Sequence, residues 1–299
     1  MRNWLSPARV TKWLITGPPF FYLFLFFLLP SLIMVVASFR YPGEYGGLAP
    51  IFGAESGKES GLTLETYQFF FSDFIYTQIF IKSFGVALAT TLLCLLMAYP
   101  LALLIARSPK QHRDFMVLLV IMPFASNFLI RVYAWMIILG PQSAFSLVIN
   151  YFLGFFGIGP VSLLFSSFAV LVGMVYVHLP FMVLPLYTNL EKHDPVLLDA
   201  AQDLGANAWD RFWKVTWPLS LPGVYAGAAL VFIPVLGMFA IPDILGGTGD
   251  ILIGNLSKDQ FLGTRDWPFG STLSIMLTIA VLLLASLTVV ISRRGVRNV

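Results

Sequence analysis

Charge is what this sequence has least of. Lys, Arg, Asp and Glu make up only 11% of its 299 residues, whereas a soluble globular chain carries about a quarter. A water-facing surface over the whole molecule is therefore excluded. The single cysteine, Cys94, lies inside an apolar run, which rules out an internal disulfide framework and a Cys/His zinc constellation, and leaves the redox compartment open. The three histidines, His112, His178 and His193, are scattered. No nucleophile, base and orienting carboxylate can be assembled around them, so no catalytic residue, cofactor or metal is expected. A nucleotide-binding glycine loop is missing too, because Gly57-Lys58-Glu59 lacks both the hydroxyl and the correctly spaced upstream glycine. No basic stripe with interleaved aromatics points to nucleic acid.

What is there is apolar, at 58% of the chain. A spanning helix needs about 20 mostly apolar residues to cross about 30 Å of hydrocarbon. Six stretches qualify, approximately Phe20 to Phe39, Phe84 to Ala106, Phe115 to Leu139, Phe165 to Leu186, Val224 to Ile241 and Thr272 to Ile291. The lipid bilayer is thus the expected solvent. The first stretch follows Arg2, Arg9 and Lys12 as a signal peptide would, but it is long and lacks a small-residue cleavage site, and it reads as an uncleaved anchor.

Orientation follows from the excess of Lys and Arg in cytoplasmic loops. With both termini inside, Arg2, Arg9, Lys12, Arg107, Lys110, Arg113, Lys192, Arg211, Lys214, Arg293, Arg294 and Arg297 fall on the cytoplasmic side, twelve against five outside. The outer five are Arg40, Lys58, Lys82, Lys258 and Arg265, and Arg131 lies within a span. Outer segments hold nine acids, Glu44, Glu55, Glu59, Glu65, Asp73, Asp243, Asp250, Asp259 and Asp266. Such an excess either draws cations inward or is what remains when translocation removes basic residues from outer loops. The Gly, Glu and Ser content between Gly43 and Gly61 reads as a mobile part of the outer loop.

Between the fourth and fifth spans, Glu191 to Leu221 reads as two short helices. Asp194 before Pro195 is a helix start, Leu197, Ala200, Ala201 and Leu204 recur at helical spacing, and Gly205 stops the helix. A second helix is expected from Asn207, ending before Pro218. Short helices below a membrane domain that expose small and apolar side chains invite a protein partner, the alternative being an amphipathic surface helix with none.

The run Asp199-Ala200-Ala201, then Gly205, then Val215-Thr216-Trp217-Pro218 resembles the EAA loop of ABC-importer permeases in spacing throughout, with Asp199 in place of Glu and Trp217 in place of Leu. Further stretches resemble spermidine/putrescine permeases of the PotB/PotH type: Pro123-Phe124, Asn127 and Leu129-Ile130-Arg131; Leu179 to Val183 with Pro185-Leu186-Tyr187; Leu252 to Asn255, Gln260-Phe261-Leu262 and Arg265 to Gly270. The resemblance implies an all-α membrane protein with the six-span type I ABC importer permease fold, one transmembrane domain over residues 1–299 with a coupling loop at 191–221. It implies a bacterial inner-membrane protein that works by alternating access. Its expected partners are a second homologous permease subunit, two copies of a cytoplasmic ATPase subunit and a periplasmic substrate-binding protein. Asp199, Ala200, Ala201, Gly205 and Pro218 would couple it to the ATPase. The rival readings are an importer of another small organic solute and a secondary transporter driven by an ion gradient.

A polyamine path should combine carboxylates with aromatic faces that attract ammonium groups. Asp243, after Pro242 and before Gly246-Gly247, is the preferred substrate-path acid, its alternative being an interfacial cap. Phe239, Tyr133, Trp135 and Tyr187 are the aromatic candidates, with an interfacial aromatic belt as the other reading. Arg131 would repel a cationic substrate and reads as an intramembrane ion pair or gate. His178 reads either as part of a proton path or as a hydrogen-bonded packing residue, and Gly223 and Gly227 have the small-xxx-small spacing of close helix packing. Pro123, Pro180, Pro185 and Pro234 fall within spans, where they can kink a helix.

Overall fold

A computed structural model describes residues 7–50 and 61–296, with side chains described for residues 14–50 and 61–286. The charges of Arg2, Arg9, Lys12, Glu55, Lys58, Glu59, Arg293, Arg294 and Arg297, and the Gly57 segment, lie outside those described side chains. The helices in chain order are α1 (Pro7–Leu23), α2 (Leu29–Ser38), α3 (Glu65–Ser72), α4 (Phe74–Arg107), α5 (Lys110–Ile121), α6 (Phe128–Leu139), α7 (Ala144–Phe155), α8 (Ser167–Leu190), α9 (Pro195–Asp203), α10 (Ala208–Arg211), α11 (Trp217–Leu236), α12 (Ala240–Leu245), α13 (Ile253–Leu262) and α14 (Trp267–Val296). Among the described residues there is no β-strand, only two isolated bridges, Arg40 with Leu62 and Pro42 with Leu48. Six segments are long and apolar enough to cross a bilayer: Leu14–Ser38, Phe74–Arg107, Phe128–Phe155, Ser167–Leu190, Ala208–Leu236 and Trp267–Ser286.

The second segment starts ten residues before the expected Phe84, and prolines shape the departures in the third and fifth. The expected third span, Phe115 to Leu139, is not one helix. A 3-10 turn at Met122–Ala125 carries Pro123, which has no N–H to give the ladder, and α6 restarts at Asn127, whose side chain accepts a hydrogen bond from Leu129 N at 2.8 Å. A second break at Gly140 to Ser143 separates α6 from α7, where the Ser143 hydroxyl accepts from Ser146 N at 3.0 Å.

Elsewhere the chain bypasses a proline without stopping. A π turn at Phe24–Leu28 precedes Pro30, and another at Phe212–Thr216 precedes Pro218. In each case the carbonyl four residues before the proline, which its ring would strike in a regular helix, falls in the widened turn. The second short helix of the 191–221 loop therefore does not end before Pro218. It runs through the π turn into α11, and the fifth apolar segment starts earlier and stops earlier than Val224 to Ile241: α11 ends at Leu236, and Ile241 belongs to α12.

The chain divides into two compact units, Met1–Thr77 with Leu256–Val299, and Gln78–Asn255. In the first, α14 packs on α2 and α3. A polar knot fixes their junction: Thr66 Oγ1 donates to Ser38 O at 2.9 Å, the Ser38 and Tyr67 hydroxyls lie 2.8 Å apart, and Thr272 Oγ1 lies 3.1 Å from Thr66 Oγ1. The part of the outer loop expected to be mobile that is described, residues 43–50, is tied down by Gly47 N–H donating to Arg265 O at 2.8 Å. Residues 51–60 lie outside the described set.

In the second unit α8 is the central element. It buries Val170, Met174, Val177, Met182, Val183 and Leu186, and it stays continuous through Pro180 and Pro185. Helix α11 runs antiparallel along it: Gly223 meets Asn189 and Pro185, and Gly227 meets Met182. The missing side chains allow this backbone approach, the mode of packing that membrane helices favour. His178, 2% exposed, hydrogen-bonds through Nδ1 to Met174 O at 2.8 Å and lies against the Phe181 ring, the arrangement of a packing residue.

Candidate functional site

Two candidate regions belong to the second unit. The first is built on α9. Asp194 Oδ1 accepts from Val196 N at 3.0 Å and Pro195 occupies the first turn, so the helix begins where the sequence indicates. At the other end Gly205 takes φ +83°, the left-handed conformation that a Cβ would penalise. Gly205 N bonds Gln202 O at 2.8 Å and Ala206 N bonds Ala201 O at 3.0 Å, which closes the helix with paired end carbonyls. Arg211 Nη1 donates to Gln202 Oε1 at 2.6 Å and joins α10 to α9. Between these caps Val196, Leu197, Asp199, Ala200 and Leu204 are exposed and Ala201 is half-buried. Leu204 is 90% exposed. With Val196 and Leu197, also exposed, it puts three large apolar side chains on this short helix and its cap.

The base of this helix is anchored. Arg113, on α5, forms an ion pair with Glu191 at the end of α8, and its Nη2 donates to Ala106 O at 3.4 Å and Ser108 O at 3.3 Å. A cavity of about 470 Å³ under α9 is lined in part by Leu103, Arg113, Glu191, His193 and Leu198. The hydrogen bond from Tyr187, with Arg113 beside it, holds the Glu191 carboxyl below its ordinary value of 4.5. A carboxyl with a depressed value gives stability that is complete above its unfolded value and lost as pH falls through the folded one. The mobility of a spin label attached through Lys192→Cys should therefore stay unchanged from neutral pH down through 4.5 and rise only below. With Glu191→Gln added that pH dependence should disappear. Loosening above pH 5 in the native pair would contradict this anchor.

Aromatic rings secure the π turn. Trp217 lies 5.3 Å from Tyr99, Phe212 lies 5.6 Å from Tyr99, and the Tyr99 and Ser220 hydroxyls meet at 2.9 Å. Trp217, one of the two departures from the EAA pattern, thus packs its larger ring against a partner suited to it, and Pro218 sits just beyond.

The second region surrounds α12 and the segment after it. Phe239 is 45% exposed and Asp243 is exposed. Asn255 Nδ2 donates to Asp243 Oδ1 and, at 3.0 Å, to Phe239 O. The start of α13 is itself pinned, with Leu252 N on Asn255 Oδ1 at 3.3 Å and Ile253 N on Ser83 Oγ at 2.8 Å. A Cβ on Gly254 would come within 2.8 Å of Gly237 O and Met238 O, so only glycine lets α13 approach the end of α11. Nearby, Asp250 accepts from Ser167 Oγ and, at 3.1 Å, from Gly247 N, and pairs with Lys82 at 3.0 Å. Burial works against its charged form, but the hydrogen bonds from Ser167, Gly247 and Lys82 prevail and hold its carboxyl below the usual range.

The sequence candidates are only partly brought together. Helix α6, which carries Tyr133 and Trp135, packs on α12. Tyr133 is half exposed, and Trp135 lies 5.5 Å from the ring of Tyr176. Tyr187 does not join them. It is twenty residues from Ser167 on the continuous α8, about 30 Å at helical rise, and it belongs to the Glu191 anchor. Arg131 does not form the expected ion pair: among the described residues its partner is the Phe124 ring, 5.3 Å below the guanidinium, and its Nε is buried without a hydrogen bond. Lys82, Ser167, Asp250 and Asn255 were not singled out as site residues. The one available signal was Lys82, the only charge in the α4 sequence before Arg107.

A membrane-spanning helical unit bearing a capped, exposed helix with the Asp-Ala-Ala and glycine spacing is the permease of a solute importer. Residues 98–298 match the family described as the binding-protein-dependent transport system inner membrane component, and the chain belongs to that family. It is 39% identical over 268 residues to the spermidine/putrescine transport system permease protein PotB of Haemophilus influenzae, covering 89% of this chain and 88% of that one. To PotB of Escherichia coli it is 39% identical over 260 residues, 86% and 89% of the two chains. The Escherichia coli inner membrane ABC transporter permease protein YdcU is 28% identical over 78% of this chain and 76% of its own. The fold is shared with a chain of a bacterial alginate ABC transporter solved in complex with an alginate pentasaccharide-bound periplasmic protein, at a TM-score of 0.70, 15% identity and 98% coverage of both chains. The all-helical type I ABC importer permease fold expected from the sequence is the fold found.

Proposed function

We propose that this chain is a permease subunit of an ATP-driven importer that carries the polyamines spermidine and putrescine from the periplasm to the cytoplasm. The observation that carries this reading is the 39% identity, spread over nearly nine-tenths of the chain, with permeases named for spermidine and putrescine. Both termini lie in the cytoplasm in this reading, as the twelve-to-five distribution of basic residues supports. Helix α9 then faces a cytoplasmic ATPase, present in two copies, which supplies the hydrolysis for which this chain has no motif. A second homologous permease completes the membrane part, and a periplasmic binding protein delivers the substrate.

The mechanism is alternating access. Closure of the ATPases pushes α9 through Asp199, Ala200, Ala201 and Gly205; the Arg113–Glu191 anchor and the unbroken helix from Ala208 past Pro218 convey that movement to α8 and α11. Nucleotide drives the change only through unequal affinity for the two states. In the path, Asp243 accepts an ammonium group and is aimed by Asn255, while the faces of Phe239, Tyr133 and Trp135 receive cationic segments of the chain. Arg131, resting on Phe124, acts as a gate element that repels cations and does not bind them.

The test is uptake of labelled spermidine by vesicles holding the complete complex, with ATP present and ion gradients collapsed. The native chain should transport and Asp243→Asn should transport at least about tenfold more slowly, the effect of losing one charge-assisted contact of about 1.4 kcal/mol. Uptake that disappears with the gradient would overturn the ATP-driven reading, and unchanged uptake by Asp243→Asn would remove that residue from the path.

A further inference from the structure

Lys82 and Asp250 are 168 residues apart in sequence and meet in the second unit. Lys82 Nζ donates to Asp250 Oδ1 at 3.0 Å and to the carbonyl oxygen of Gly249. The pair is asymmetric: the lysine side chain is 38% exposed and the aspartate only 12%. The carboxylate is recessed and the cation covers it. Ser167 Oγ donates to the same Oδ1 that meets the ammonium and Gly247 N–H donates to Oδ2, so both carboxylate oxygens are held in place. Two acceptors, a carboxylate and a backbone carbonyl, thus form a fixed cradle for an –NH3+ group reached from solvent.

The lysine side chain is a four-carbon stem ending in a primary ammonium with three donors. The aminobutyl arm of putrescine or spermidine has the same four carbons and the same terminal group. We propose that this cradle is an ammonium subsite of the transport path, filled by Lys82 when no substrate is present and taken over by the terminal ammonium of a polyamine. This rests on the polyamine reading above. An exchange of one ammonium for another never leaves the recessed carboxylate unpaired, the state in which a buried charge is most costly. It also keeps the net affinity low, as a conducting site needs if the substrate is to leave again.

The experiment is equilibrium binding of labelled putrescine to the complete complex in lipid nanodiscs without the binding protein, run beside polyamine uptake by the native complex. Lys82→Met removes the competitor and should tighten binding by about tenfold or more. Adding Asp250→Asn should abolish the gain, and putrescine with every nitrogen fully methylated, which keeps its charge but has no N–H to donate, should gain much less. Where Lys82→Met fails to assemble, Lys82→Gln, neutral and a weaker competitor for Asp250 than an ammonium, should tighten binding in the same direction and by less. An assembled variant that binds putrescine no better than the native complex overturns the subsite and leaves the importer reading standing if native uptake is normal. Tightening in a complex that takes up no polyamine keeps an ammonium subsite and overturns the polyamine reading.

Discussion

Substitution Ala201→Arg is expected to lower ATP-dependent uptake by about tenfold or more, with the chain still assembled in the membrane; each 1.4 kcal/mol lost in the coupling contact accounts for about one factor of ten. Ala201 is half-buried on α9, between exposed Ala200 and the caps at Asp194 and Gly205. A long guanidinium side chain there replaces a methyl group on the helix face that closes against the partner, and its charge must give up water on closure, which is costly for any group without a compensating bond. The fold does not depend on the position in the same way, because the caps and the Arg211–Gln202 bond remain. The measurement is the ratio of solute taken up to ATP hydrolysed by the complex. The ratio should fall, and a native ratio in the variant would remove α9 from the coupling route.

Gly223→Leu is expected to have the largest effect on the folded protein itself. A Cβ at this position would stand 2.7 Å from Asn189 Cβ and 3.1 Å from Pro185 O. Neither neighbour is the free end of a flexible side chain, so α8 and α11 must separate. Overpacking of this kind costs about 1–3 kcal/mol, and leucine adds three more heavy atoms to the clash. The expected result is a large fall in the yield and melting temperature of detergent-solubilised protein. Gly227→Ala should be milder, since its closest neighbour is Met182 Sδ at 2.7 Å, which can move. Equal yields for Gly223→Leu and the native chain would contradict the close approach of α8 and α11.

The contrast between these two sites shows what could be read in the sequence. The α9 cap is local: Asp194, Pro195 and Gly205 announce it within about three turns, and the structure makes the hydrogen bonds of Asp194 and Gly205 with Pro195 in the first turn, where no donor is needed. Apolar length announces six membrane-crossing segments but not their bounds, since the third runs Phe128–Phe155 where Phe115 to Leu139 is expected. Proline announced trouble at Pro123 and Pro218, but not its form, because whether a helix breaks or widens depends on what packs around it. At Asn127 a side-chain cap was at hand to start a new helix. At Trp217 the Tyr99 and Phe212 rings hold the widened turn together.

The spacing of Gly223 and Gly227 announces close helix packing, but which polar side chains pair across the chain is not written in the sequence. Nothing near Lys82 names Asp250, and nothing near Asp243 names Asn255 as its hydrogen-bond donor. Tyr187 was grouped with Asp243 by residue type alone, and the length of α8 separates it. Arg131 called for a carboxylate by charge, yet an aromatic face only seven residues away met the need. A residue's chemistry was legible; its neighbours were not.

The most direct test of the account is uptake of labelled spermidine and putrescine by proteoliposomes that contain this chain with its partner permease, the ATPase and the binding protein. Saturable, ATP-dependent accumulation of both polyamines, competed by one another and not by neutral or anionic solutes, is the predicted result. ATP-dependent accumulation of an unrelated solute with no polyamine uptake would contradict it.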